Sequence, residues 1–168
     1  MKILHHFAFY SLMIIISTSC SQKTNYKLPK NAKELLAGEK GKTWKISKRI
    51  NEGTRMNMRG CFLSYRITYN PDGNMKDNNE EQEDCGPSLR GNWQILENKN
   101  GISYIKWTSN DIPEILNMKS NHKYFKILKL TKDTLELQHR HKQFSSKTTF
   151  IDLFVPEHSK IKNRDFHW

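Results

Sequence analysis

The chain has 168 residues, 36 % of them hydrophobic and 27 % charged, with a formal net charge of +11. That length supports one domain with a real core and leaves little room for a second. The lysines are spread through every segment, with no basic helix and no aromatic RNA-binding motif, which argues against a nucleic-acid partner despite the charge. A solvated basic surface is the plainer reading, and anionic headgroups or envelope polysaccharide are the other acidic surfaces it could meet.

The N-terminus has three parts: Met1-Lys2, then an apolar run from Phe7 to Ile16, then Ser17-Thr18-Ser19-Cys20. A charged start, a short apolar stretch and small residues at the end make a secretory signal. The apolar run is about ten residues, too short to cross a hydrocarbon core of roughly 30 Å as a helix. A cysteine directly after small residues resembles the lipobox of bacterial lipoproteins. Ser17 stands where that family usually carries Leu or Val, and Ile16 lies one place earlier. The resemblance implies cleavage before Cys20 and acylation of Cys20, so residues 1–19 read as signal peptide and residues 20–30 as a lipidated tether. An ordinary secreted protein with an incidental Cys20 is the alternative. Each buried CH₂ of an acyl chain contributes about 0.8 kcal/mol, so several chains anchor firmly. Removing residues 1–19 takes away Lys2 alone among charged groups, leaving 149 residues and a charge of +10.

With Cys20 set aside, Cys61 and Cys85 remain as an even pair in an oxidising compartment. A bridge between them would stabilise by roughly 3 kcal/mol in the chain-entropy account. Two free thiols are the other reading.

Asn31 is placed to cap a short helix over residues 32–36 that ends near Gly38 or Gly41. Strands and turns follow. Trp44 to Ser47 alternates apolar and polar. Residues 51–60 read as a loop. Phe62 to Tyr69 reads as the clearest strand, with Leu63, Tyr65, Ile67 and Tyr69 on one face. Asn70-Pro71-Asp72-Gly73 is a turn, and a short strand covers residues 74–76. Residues 77–87 are acidic and irregular.

Leu89 to Leu96 is a strand with Trp93 and Ile95 facing together. Glu97-Asn98-Lys99-Asn100-Gly101 is a hairpin turn, its Asn-Gly pair favoured because both positions tolerate positive φ, and it leads into a strand over 102–107 carrying Ile105 and Trp107. Residues 108–121, with Pro113, form a longer loop. Tyr124 to Leu130 is a strand. Leu135, Leu137 and His139 alternate in the next. Thr148 to Val155 is the last, with Ile151, Leu153 and Val155 aligned as its apolar face. Residues 156–168 read as a polar tail with Phe166 and Trp168 near its end.

The expected fold class is therefore all-β: an eight-stranded up-and-down antiparallel barrel with a short N-terminal helix, which removes exposed edges. A β-sandwich is the alternative. No βαβ rhythm and no glycine-rich phosphate loop is visible.

Four stretches carry a further likeness: LLAGEKGKTWKI (35–46), CFLSYRITYNPDG (61–73), CGPSLRGNWQI (85–95) and KLTKDTLEL (129–137). In this order they resemble the lipocalin-like domains of Bacteroidetes lipoproteins, over roughly residues 31–155. Arg66 and the basic tail depart from that pattern. The resemblance implies a lipocalin-like barrel in the cell envelope more than it implies a reaction.

An eight-stranded barrel is filled by side chains or holds one small ligand. Trp44, Tyr65, Trp93, Ile105, Trp107 and Leu137 are the residues expected to face inward, either lining a pocket for a small hydrophobic ligand or packing it solid. His139 and His141 share a face of their strand, but no acidic or cysteine ligand lies at a suitable spacing, so surface histidines are the plainer reading than a metal site. His122 would have to be brought near by the fold. Glu80, Glu81, Glu83 and Asp84 lack the spacing of a calcium loop and read as solvated charge. Ser145-Ser146 lacks a nucleophile elbow. The expectation is thus a monomeric, non-catalytic envelope lipoprotein without cofactor, in the outer membrane facing the periplasm. It binds a small hydrophobic ligand or, with a packed barrel, a protein or envelope partner.

Overall fold

The computed structural model describes residues 26–143 and 146–166. The expected signal peptide over residues 1–19, Cys20, the expected tether up to residue 25, Ser145 and Trp168 lie outside the described residues.

The chain enters through helix α1, Ala32–Ala37. Asn31 occupies the N-cap without a side-chain hydrogen bond, and Gly38 at φ 62° ends the helix. Nine strands follow among the described residues: β1 (Lys42–Asn51), β2 (Thr54–Arg55), β3 (Arg66–Tyr69), β4 (Asn74–Asp77), β5 (Arg90–Glu97), β6 (Ser103–Thr108), β7 (His122–Leu130), β8 (Leu135–Gln143) and β9 (Ser146–Pro156). Each of β3 to β9 pairs antiparallel with its sequence neighbour, β3 pairs with β1, and β1 also pairs with β9. Eight strands thus close into an up-and-down barrel, as expected, while β2 only extends β1 into a hairpin at its edge.

The differences from the sequence reading have local causes. Residues 51–60 hold the β1–β2 hairpin rather than a plain loop. The run Phe62 to Tyr69 is not one strand: Cys61–Ser64 forms a helical turn, α2, and only Arg66–Tyr69 pairs. The carbonyls that the turn leaves open are taken by arginines. Arg66 Nη1 donates to the carbonyls of Leu63, Ser64 and Tyr65 at 3.0, 3.0 and 2.9 Å, and Arg164 Nη1 to Leu63 at 2.5 Å. Arg66, which departs from the family pattern, is therefore the cap of α2. The acidic segment contains a 3-10 turn, Asn79–Glu81, and is pinned by the Cys61–Cys85 disulfide, whose Cα atoms are 5.4 Å apart. The long loop before β7 contains a helical turn, α3, Ile112–Ile115.

The β5–β6 turn forms where the sequence places it, between Glu97 and Ser103. Asn98 and Gly101 close it through the Gly101 N–H on the Asn98 carbonyl, at 2.9 Å, and only Gly101 has positive φ, 69°. Asn98 Oδ1 accepts from the N–H groups of Asn100 and Ile102. The C-terminal stretch is not a free tail. Arg55 reaches the Asn163 carbonyl at 2.8 Å, Met58 N–H donates to the Asp165 carbonyl at 3.0 Å, and Arg164 Nε donates to the Ile46 carbonyl.

Two bulges set which side chains enter the barrel. In β1, Ile46 pairs with Phe154 and Lys48 with Leu153, so Ser47 is an extra residue. Beyond it Arg49, not Lys48, stands opposite Asp152. A bulge that re-aims a side chain is its usual structural use. In β7 the register shifts between Ile127 and Lys129, which lets Ile127 and Leu130 both point inward.

The last strand shows the other correction. In β9 the inward residues are Phe150, Asp152 and Phe154, while Ile151, Leu153 and Val155 lie half-buried on the opposite face. The pairing explains why: His139, Leu137 and Leu135 of β8 face inward and stand directly opposite Phe150, Asp152 and Phe154. Residues opposite each other across a ladder share a face.

Candidate functional site

The alternating strand directions give the barrel two ends. At one end, α1 packs beside the start of β1 and the end of β7. Trp44 is fully buried there and donates Nε1–H to the Leu36 carbonyl at 2.8 Å, and Tyr26 bonds both backbone groups of Leu130. Leu36, Ile67, Leu130 and Leu135 fill this end, which is closed and apolar.

The other end gathers the end of β1, the start of β7 and the end of β4 beneath α2 and α3. A cavity of about 210 Å³ lies there. Its apolar wall includes Ile46, Leu89, Trp107, Phe125, Leu137 and Phe154; Phe62, 41 % exposed, lies on its outer side, with Ile115 and Leu116 from the α3 segment. Its polar wall is Arg49, Tyr65, Asp77, Lys123, His139 and Asp152.

A chain of aromatic rings runs through the interior towards that polar wall. Tyr69 meets Trp93 edge-on at 5.7 Å and Trp107 at 6.4 Å, Trp107 meets Phe125 at 4.2 Å, and His139 packs on Phe125 and stacks on Phe150. Trp107 Nε1–H donates to the Tyr69 hydroxyl at 3.1 Å. The aromatics are therefore rigid and hydrogen-bonded where they carry polar atoms.

The charged groups are ordered by Asp152. Arg49 Nε and Nη2 donate to its two oxygens at 2.5 and 2.7 Å, and His139 Nε2 lies 3.1 Å from Oδ2. Burial works against the Asp152 carboxylate, but the bonds from Arg49 and His139 outweigh it and hold its pKa below the usual range. Burial likewise pushes the His139 pKa down, only partly opposed by Asp152, so the imidazole is neutral at pH 7. A neutral ring donating from Nε2 keeps Nδ1 as an acceptor. That atom is buried without a partner among the described residues.

Lys123 is the outlier. It is only 7 % exposed, yet its ammonium makes no hydrogen bond or ion pair among the described residues; it lies 5.2 Å from the Phe125 ring centre. Burial lowers its pKa to about 8, with Arg49 adding to the fall and Asp152 opposing it. Among the described residues the Tyr65 hydroxyl makes no hydrogen bond either, and burial raises its pKa well above the usual value. Asp77 is committed to the loop instead: Oδ1 accepts from the N–H groups of Asn79 and Leu89 at 3.2 and 3.1 Å.

Of the six residues expected to face inward, Tyr65, Trp107 and Leu137 line the cavity. Trp44 belongs to the closed end, and Ile105 and Trp93 pack into the core, where Trp93 donates Nε1–H to the Asn70 carbonyl. Sequence reasoning missed Arg49, Lys123, His139 and Asp152 as interior groups. His139 is buried rather than on the surface, and its acidic neighbour comes from the next strand. His122 points to the other face of β7, beside Tyr124 and bonded to Ser120. Among the described residues no group of three His, Cys, Asp or Glu is placed to hold a metal ion. The acidic segment is tied to cations: Lys76 Nζ lies 2.9 Å from Glu80 and 3.3 Å from Glu81, and Arg90 also bonds Glu80. Among the described residues no helix is long and apolar enough to cross a membrane.

A family model described as a lipocalin-like domain matches residues 40–137. Among solved structures, a lipocalin-like protein from Bacteroides uniformis ATCC 8492 is similar at 15 % sequence identity and a TM-score of 0.44, over 72 % of this chain and 97 % of that one. No curated protein matches the chain.

Proposed function

The chain belongs to the lipocalin-like domain family, and from that premise we propose that it is a cell-envelope lipoprotein, anchored through Cys20, whose barrel holds one small hydrophobic molecule and performs no catalysis. The cavity of about 210 Å³ between Trp107, Phe125, Leu137 and the polar wall carries this reading. Sites for drug-sized ligands run from roughly 300 to 1,000 Å³, so the occupant is smaller than a lipid. An apolar cavity of about 150 Å³ accepts a benzene. The polar wall fits binding better than catalysis: the Asp152 carboxylate is occupied by Arg49 and His139, and among the described residues no hydroxyl or thiol is bonded to the His139 ring.

Anchoring rests on the segment before Cys20, and the disulfide fits an oxidising compartment. Two measurements test the proposal together. Mass spectrometry of the purified full-length protein should reveal a co-purifying small apolar molecule and a Cys20 N-terminus carrying acyl chains. Cys20→Ala should release the protein from the membrane fraction. An unacylated N-terminus refutes the anchor, and a barrel that neither retains nor takes up any apolar molecule refutes the ligand.

One observation favours a second reading, a partner bound on the outside. Tyr124 is 46 % exposed, packs edge-on against Tyr104 at 6.3 Å, and shares an open depression with Lys126 and Arg140. Loss of a cross-linked envelope partner in Tyr124→Ser would support that reading over the first.

A further inference from the structure

We propose that the cavity selects a small apolar carboxylic acid, whose carboxylate is held by the Lys123 ammonium and the Tyr65 hydroxyl while its hydrocarbon part lies against Trp107, Phe125 and Leu137. This rests on the cavity-binding reading above and adds the chemical class of the ligand.

A buried ammonium without a counter-charge is costly, and folded proteins rarely keep one unless it is paired. Arg49 has its anion in Asp152, bound through both nitrogens. Lys123 has none within hydrogen-bond reach among the described residues, and it lines the same cavity as the apolar wall. The cavity therefore contains an uncompensated cation beside an oily surface. A molecule with one anionic end and one apolar end satisfies both at once.

The donor set narrows the anion. Lys123 and Tyr65 supply N–H and O–H donors on the cavity wall, and among the described residues Lys123 is the wall cation without a bonded anion, because Arg49 is held by Asp152 and the Asp77 carboxylate is taken up by the N–H groups of Asn79 and Leu89. One unpaired cation and a hydroxyl donor suit a carboxylate, a monoanion with two acceptor oxygens. A phosphate monoester carries nearly two charges at neutral pH and would leave one uncompensated. Size narrows the rest: with about 210 Å³ available, the hydrocarbon part is a single ring or a short chain.

The acid differs from its neutral analogue by one charge-assisted contact, which is worth roughly ten- to a hundredfold in affinity. The test uses phenylacetate and 2-phenylethanol, titrated calorimetrically into the full-length protein at pH 7. The expected result is at least tenfold tighter binding of phenylacetate, with Lys123→Met abolishing that preference while still binding the alcohol. Equal affinity for the two compounds overturns the proposal and leaves the cavity reading standing. A preference that survives in Lys123→Met overturns it too, because another group must then hold the anion. Binding of neither compound overturns both readings. The comparison in the unaltered protein is decisive by itself should the variant fold poorly, and Tyr65→Phe, expected to weaken only the acid, is an independent second variant.

Discussion

Arg49 and Asp152 meet across the seam where the first barrel strand closes on the last, with both guanidinium–carboxylate contacts at 2.7 Å or less and the pair turned into the barrel. Ser47 makes this possible. Were Ser47 paired with Leu153 in regular register, Lys48 would stand opposite Asp152, and an ammonium cannot match the planar two-point contact of a guanidinium. The seam is thus closed by a paired charge rather than by hydrocarbon alone, and its cation also packs 4.5 Å from the Phe62 ring at the α2 end.

Removing one partner should therefore cost far more than removing both. Asp152→Asn leaves Arg49 without a counter-charge and leaves one acceptor oxygen where Arg49 and His139 now share two, and breaking a buried pair this way costs about 3–5 kcal/mol. Replacing both residues, as in Arg49→Met with Asp152→Leu, should recover most of that loss. Urea unfolding of the single and double variants measures it. Equal destabilisation in both would show that the pair is not coupled.

Lys123 predicts a rise of stability at alkaline pH. Its folded pKa is lowered to about 8 from 10.5, so between those values the unfolded chain holds more protons than the folded one. Stability then increases with pH across that window, by about 1.4 kcal/mol per unit at most. Below pH 8 the folded protein carries the full penalty of the buried charge; above 10.5 the penalty has gone. Lys123→Met should be more stable than the unaltered protein at pH 7, and the gap should shrink by on the order of 3 kcal/mol by pH 11. A gap that is constant with pH would mean that this amine is solvated.

How far such groups could be read from the sequence depends on whether the side chain itself marks its face. Trp93, Ile105, Trp107 and Leu137 are apolar on strands with clean alternation, and their inward position was legible. The eight barrel strands were legible for the same reason, because each run of period two ends in a turn. In β9 both phases are apolar, Phe150 and Phe154 against Ile151, Leu153 and Val155, and only pairing with β8 decides between them. The phase containing Asp152 won because Leu135 and Leu137 were already committed to the interior. Arg49 was hidden by a bulge, which resets the period without any glycine or proline to announce it. Tyr65 was expected in a strand and instead ends a helical turn whose capping arginines lie one and 99 residues further along the chain. Such long-range caps leave no local signature.

The disulfide should protect the cavity as well as the fold. Cys61 begins α2 and itself lines the cavity, while Cys85 belongs to the segment that Asp77 organises. Reduction, or Cys61→Ser with Cys85→Ser, should lower stability by roughly 3 kcal/mol. It should also weaken binding of a neutral apolar dye to the barrel. Thermal melts with and without reductant, run beside dye titrations, separate the two effects. Undiminished dye binding after reduction would show that α2 holds its place without the bridge.

Gly91 tests the packing of the barrel wall through a single methyl. It lies at the start of β5, two residues before Trp93, where β5 passes β6. A Cβ built there would fall 2.4 Å from the Thr108 carbonyl oxygen and 2.9 Å from the Ser109 Cβ. The first obstacle is backbone of a paired strand, so the clash cannot be relieved by turning a side chain. Relief requires β5 and β6 to part locally, and their separation positions both Trp93 and Trp107. Overpacking of this kind costs typically 1–3 kcal/mol, so Gly91→Ala should unfold at clearly lower urea concentration. Gly101 supplies the contrast: a methyl there meets nothing within 4 Å, and only its positive φ of 69° is penalised. Gly101→Ala should therefore cost about 1 kcal/mol and leave tryptophan fluorescence unchanged, whereas Gly91→Ala should shift it. Matching fluorescence spectra for the two variants would mean that the β5–β6 contact is looser than the 2.4 Å approach implies.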